Sequence, residues 1–104
     1  MVEDKNLTKI KEVVESILPK SKVILFGSRA RENFGYQSDY DILVVVEVNL
    51  TIKEKRHFAS IIADKLAEME ILTDVLVRTE EDVKYLKDRI GSVTREAILE
   101  GKTL

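Results

Sequence analysis

Apolar residues recur at helical spacing in some parts of this chain and run unbroken in others. Leu7, Ile10, Val13, Val14, Ile17 and Leu18 fall three and four apart, which predicts an amphipathic helix over about 7–18, with Asn6 as N-cap and Pro19 as its stop. Thr51-Ile52-Lys53-Glu54 reads as a capping box. It opens a longer helix to about Met69, with Phe58, Ile61, Ile62, Leu66 and Met69 as its buried stripe. Thr79 caps a further helix whose first turn is acidic. Val83, Leu86 and Ile90 form its stripe, and Gly91 breaks it. Ser92 to Glu100 predicts a last short helix, with Val93, Ala97 and Ile98 inward and Gly101 as C-cap. Between these lie three apolar runs bounded by turn residues: Lys22–Phe26, Asp39–Val46 and Ile71–Val77. Runs of that length, rich in β-branched residues, suit buried strands.

The second and third strands are separated by one long helix, so a right-handed parallel crossover joins them. An α/β (α+β) architecture follows, with a small three-stranded mixed sheet flanked by four to five helices. With 104 residues, the chain is expected to be a single domain, 1–104. It has no cysteine and one histidine, His57, which excludes thiolate and multi-histidine metal sites; His57 reads as a surface or packing residue. No start resembling a signal peptide and no apolar run of membrane-spanning length is present, so a cytoplasmic protein without membrane contact is expected. Seventeen basic and nineteen acidic residues give a net charge of −2. That balance argues against direct nucleic-acid binding, which rests on a basic surface.

The chemistry concentrates between Val23 and Val46. The first strand stops at Gly27, a residue that permits positive φ and close approach of a ligand to the backbone. Ser28 follows as a helix start with a hydroxyl and N–H groups suited to an anion, and Arg29 and Arg31 add positive charge. Ten residues after Ser28 come Asp39-Tyr40-Asp41, at the mouth of the most apolar run in the chain. Alternation along a strand points Asp39 and Asp41 the same way and Tyr40 into the core. Two carboxylates there call for a cation between them, most simply Mg²⁺. Asp74 interrupts the apolar run ILTDVLV. If the third strand lies beside the second, Asp74 joins the pair on one face. A lone DxD pair is a weak signal; the glycine turn, the spacing and the third aspartate together are a specific one.

This combination, GSRAR followed by SDYDILVVV, resembles the DNA polymerase β-like nucleotidyltransferases, and within them the minimal nucleotidyltransferases, the antitoxin partners of HEPN-domain toxins. The likeness runs from about the first helix to the closing REAILEGKTL. It implies the nucleotidyltransferase fold and transfer of AMP from ATP, with two Mg²⁺ (or Mn²⁺) ions held by Asp39, Asp41 and Asp74. It assigns Gly27 and Ser28 to the nucleotide phosphates, and Arg29 joins them by its position. It implies a HEPN toxin as partner, with a tyrosine hydroxyl as acceptor, in a homo- or hetero-oligomer. One departure is Glu32, where the family often has glycine; it changes the loop's charge and leaves the carboxylates untouched. Two alternatives stay open on the residues alone: neutralisation by stoichiometric binding with an idle site, and transfer to a small molecule such as an aminoglycoside.

Overall fold

The computed structural model describes residues 4–30 and 39–104. Among the described residues nine elements follow one another: α1 (Lys5–Ile17), β1 (Lys22–Phe26), α2 (Gly27–Ala30), β2 (Tyr40–Val46), α3 (Ile52–Glu68), β3 (Thr73–Thr79), α4 (Glu80–Leu86), α5 (Val93–Glu100) and β4 (Lys102–Thr103). The sheet has the order β3-β2-β1-β4. β2 pairs antiparallel with β1 and parallel with β3, so α3 is the crossover helix the sequence predicts. The mixed α/β class holds, with one strand more than expected. Lys102–Thr103 pairs antiparallel with Ile24 and Leu25 of β1. Two residues are too few to carry an alternation that reads as a strand.

The two faces of the sheet are covered differently. Val23, Leu25, Tyr40, Ile42, Val44, Val46, Val75 and Val77 pack against Ile10 and Val14 of α1 and Ile62 and Leu66 of α3. On the other face, Ile24, Phe26, Leu43 and Val45 meet Ala97 of α5, with Leu76 and Val83 alongside. β2 is thus buried on both faces, which is why it reads as a continuous apolar run rather than an alternating one.

Local chemistry accounts for most element ends, and five details depart from the sequence reading. Asp4, not Asn6, caps α1: its Oδ1 accepts from the Asn6 N–H at 3.0 Å. α4 stops at Leu86 rather than continuing to Ile90, because the Ser92 hydroxyl donates to the Leu86 carbonyl at 3.0 Å and Arg89 N–H also reaches it. Ile90 is left 92% exposed. Met69 is exposed because it is already the C-cap of α3. In α5 the inward positions are Thr94 and Ala97, while Val93 and Ile98 are largely exposed. Gly101 does end α5, but in an extended conformation, φ −77°, rather than a left-handed one. A Cβ there would overlap the Ala97 carbonyl and the Ile24 side chain, so close approach, not φ, requires the glycine.

The capping boxes of α3 and α4 are both formed. In the second, Asp82 accepts from Thr79 N–H at 2.9 Å and from Lys55 of α3 at 2.8 Å. Burial opposes the charged form of Asp82, but the hydrogen bonds from Lys55 and Thr79 outweigh it and hold its pKa below the ordinary value. A depressed folded-state pKa contributes stability above the unfolded carboxyl's pKa and loses it as pH falls through the folded one. Asp82→Ala is therefore expected to destabilise by about 1–2 kcal/mol at neutral pH. Chemical denaturation at neutral pH and at a pH below the folded pKa checks this, with the difference shrinking in acid.

Candidate active site

The site is built where three strands start or end together. Phe26, the last residue of β1, stands opposite Asp41 of β2 in the antiparallel register. Asp41 stands opposite Asp74 of β3 in the parallel register. Paired residues in a sheet project to the same face, so both carboxylates lie on the face that α5 covers. Gly27, Asp41 and Asp74 line one cleft of about 520 Å³ together with Phe26, Leu76, Val93 and Glu96. That volume is sufficient for a nucleotide-sized ligand.

Gly27 has φ +72°. A Cβ on it would overlap the Asp41 carboxylate and stand 3.0 Å from its Cγ. The glycine therefore meets two demands at once, a left-handed turn and room for the carboxylate beside the backbone. Asp39 precedes β2, is exposed, and does not line the cleft. Among the described residues no three His, Cys, Asp or Glu side chains sit close enough to hold a metal ion together. The structure thus brings Asp41, Asp74 and Gly27 together and leaves Asp39 at the entrance of the strand. Arg31 and Ser38 lie outside the described residues, as does the Ser28 side chain.

Arg29 and Tyr40 form a second layer on the opposite face. The Arg29 guanidinium lies 4.2 Å from the centre of the Tyr40 ring, a cation–π contact. The buried Tyr40 hydroxyl donates to Asp4 Oδ2 at 2.7 Å and accepts from Asn6 Nδ2 at 3.2 Å. Tyr40 is thus core, as alternation predicts, but it also ties the start of α1 and the residue after the glycine turn to the strand that carries Asp41. Burial, reinforced by the bond to Asp4, raises the tyrosine's pKa above its ordinary value. Stability from this group is complete below the unfolded pKa of about 10 and is lost as pH rises above it through the folded pKa. Tyr40→Phe should lower stability by about 1 kcal/mol at neutral pH. Denaturation curves against pH check it: the variant loses the alkaline drop that the buried phenol contributes.

Sequence reasoning missed Glu96 and Val93 in the cleft. Helical periodicity leaves open whether their helix covers the core or faces a partner, and says nothing of which carboxylates it approaches. His57 is exposed on α3, its ring centre 6.2 Å from that of Phe58, and lies apart from this cleft.

The model of the nucleotidyltransferase domain family matches residues 7–102, nearly the whole chain. The chain belongs to that family. A protein of Methanocaldococcus jannaschii named as a "putative protein adenylyltransferase" is 36% identical over 56 residues, which is 54% of this chain and 57% of that protein. The chain thus matches little more than half the length of this curated relative. Among solved structures, a chain of a toxin–antitoxin complex with AMP-PNP superposes with a TM-score of 0.63 at 22% identity, covering 94% of this chain and 71% of that one. A chain of the Shewanella oneidensis complex of a tri-AMPylated HEPN toxin with its MNT antitoxin gives 0.58 at 21% identity, covering 94% and 67%. At these identities the likeness is one of fold.

Proposed function

We propose that this chain transfers AMP from ATP to a hydroxyl of a partner protein, a tyrosine of a HEPN-type toxin, and so neutralises it. The observation that carries the reading is the register of Asp41 against Asp74 beside Gly27, in a chain of the nucleotidyltransferase family. The relatives named above supply the acceptor class: protein adenylylation and an AMPylated HEPN toxin.

The donor set is all carboxylate oxygen, which suits a hard divalent cation such as Mg²⁺ or Mn²⁺ rather than a softer metal. Asp41 and Asp74 on one face, with Asp39 at the strand entrance, are the residues that would hold it. When bound, such ions offset the charge developing on the attacking and leaving oxygens at the α-phosphorus. The chain's residues do the rest. Gly27 and Ser28 receive the β- and γ-phosphates at a turn open to close approach. Asp74, nearest the open edge of the sheet, accepts the proton of the acceptor hydroxyl. The acceptor oxygen then bonds to the α-phosphorus, the bond to the α–β bridging oxygen breaks, and pyrophosphate leaves. Tyr40 and Arg29 hold the turn and the carboxylate strand in one frame from behind. The chain is read as one domain throughout, with the acceptor presented by the partner.

Parallel reactions with ATP labelled at the α- or the γ-phosphate test the reaction class. Label is expected on the co-purifying protein from the α-position only. Label from the γ-position would instead indicate phosphoryl transfer and overturn the reading.

A further inference from the structure

A second groove lies away from the cleft, along the outer edge of the sheet. Among the described residues β3 is an edge strand. The groove is lined by Ile52 and Ala59 of α3, by Val75 and Leu76 of β3, and by Leu86 of α4. Val75 belongs to the sheet face covered by α3, and Leu76 to the face beside Val83 of α4. A groove that touches both faces and both helices must run over the strand's edge itself.

Among the described residues, the backbone of that edge is open. Tyr40 N–H donates to the Leu72 carbonyl at 3.0 Å. In a parallel ladder, alternate residues bond to the same neighbour, so Thr73, Val75 and Val77 direct their N–H and C=O groups away from β2. Two local bonds bear this out: Arg78 Nη1 donates to the Val77 carbonyl at 3.0 Å, and Thr79 N–H donates to Asp82. The Arg78 guanidinium thus blunts one end of the edge, as charged residues on edge strands commonly do. Its bond falls on Val77, two residues further along the strand than Val75.

The groove is also cationic on a chain that is acidic overall. Among the described residues, Lys55, Arg56 and Arg78 face it with Asp82 as the one acid, and Asp82 is bound to Lys55 at 2.8 Å. Arg56 and Arg78 remain as the charges available to an incoming group. At one end Ile52, 66% exposed, offers an apolar contact. Open ladder groups, alternating apolar contacts and two cations fit one kind of ligand better than others. A phosphate would use the cations and ignore the strand. A nucleic acid would not pair with backbone amides.

We propose that this groove docks an extended acidic segment of another polypeptide, which adds a strand beside β3 and sets carboxylates against Arg56 and Arg78. The inference does not depend on nucleotidyl transfer, since no groove residue belongs to the cleft except Leu76.

The test uses the full chain and a capped octapeptide alternating valine and glutamate, followed by amide hydrogen exchange and amide chemical shifts. Slowed exchange at Thr73, Val75 and Val77, weakened by salt and by about tenfold in Arg56→Glu, supports the proposal. Arg78→Gln serves as a second variant, with circular dichroism confirming that each is folded. The valine–lysine octapeptide should leave these amides unchanged. The proposal is overturned if millimolar peptide leaves the β3 amides unprotected. It is equally overturned if inorganic phosphate or an oligothymidine shifts Arg56 and Arg78 while the peptide does not.

Discussion

Asp41→Asn should abolish nucleotidyl transfer while leaving the chain folded. Asn keeps the shape of the side chain and removes its charge. Asp41 stands opposite Asp74 on the same face, so two carboxylates are held side by side by the sheet. A purely structural pair of like charges opposite one another destabilises a sheet. Removing one charge relieves that repulsion, so any loss of thermal stability should fall well short of the loss of activity. Loss of a group that stabilises charge at the reacting phosphorus is worth several kcal/mol, or at least about 10²-fold in rate. Pyrophosphate release and a thermal melt on the same sample check both halves. A stability loss matching the activity loss would mean that Asp41 serves the fold rather than the chemistry.

Gly27→Ala should cost both stability and activity. Positive φ costs a residue with a Cβ about 1–2 kcal/mol. The new methyl also overlaps the Asp41 carboxylate, and displacing it adds roughly 1–3 kcal/mol. For a domain of this size the combined loss lowers Tm by on the order of 10 °C or more. Activity falls with it, because the carboxylate moves off its position. Gly91→Ala is the internal control. Gly91 also has positive φ, +87°, yet nothing lies within 4 Å of a Cβ there. Its variant should lose only the backbone contribution, about 1–2 kcal/mol. Calorimetry on both variants separates strain from overlap; equal losses would contradict the close Gly27–Asp41 contact.

The elements with strong local signals were readable in the chain. The Thr51–Glu54 box caps α3 as the sequence predicts, and the apolar run after Asp41 is the doubly buried β2. The parallel crossover followed from strand, helix and strand in that order. It puts Asp74 opposite Asp41, which no local pattern could state by itself. What stayed hidden depended on distant contacts. Asp4 outcompetes Asn6 as cap because its second oxygen also takes the Tyr40 hydroxyl, thirty-six residues away. Ile90 belongs to a correctly spaced stripe but is stranded where Ser92 terminates the helix early. Arg29 reads as a phosphate ligand by position; that its guanidinium also lies over the Tyr40 ring is a contact only the packed sheet determines. β4 exists because β1 has a free edge for it, not because two residues encode a strand.

On the reading proposed above, the aspartates of this chain modify a partner protein with AMP. The most direct measurement is an intact-mass spectrum of the protein that co-purifies with the chain, before and after incubation with ATP and Mg²⁺. The Asp39→Asn/Asp41→Asn double variant runs alongside. The account predicts a partner heavier by one or more whole AMP units with the intact chain and unchanged with the variant. A stable complex whose partner never gains mass, with the intact chain folded and ATP present, would contradict it and leave neutralisation by binding alone.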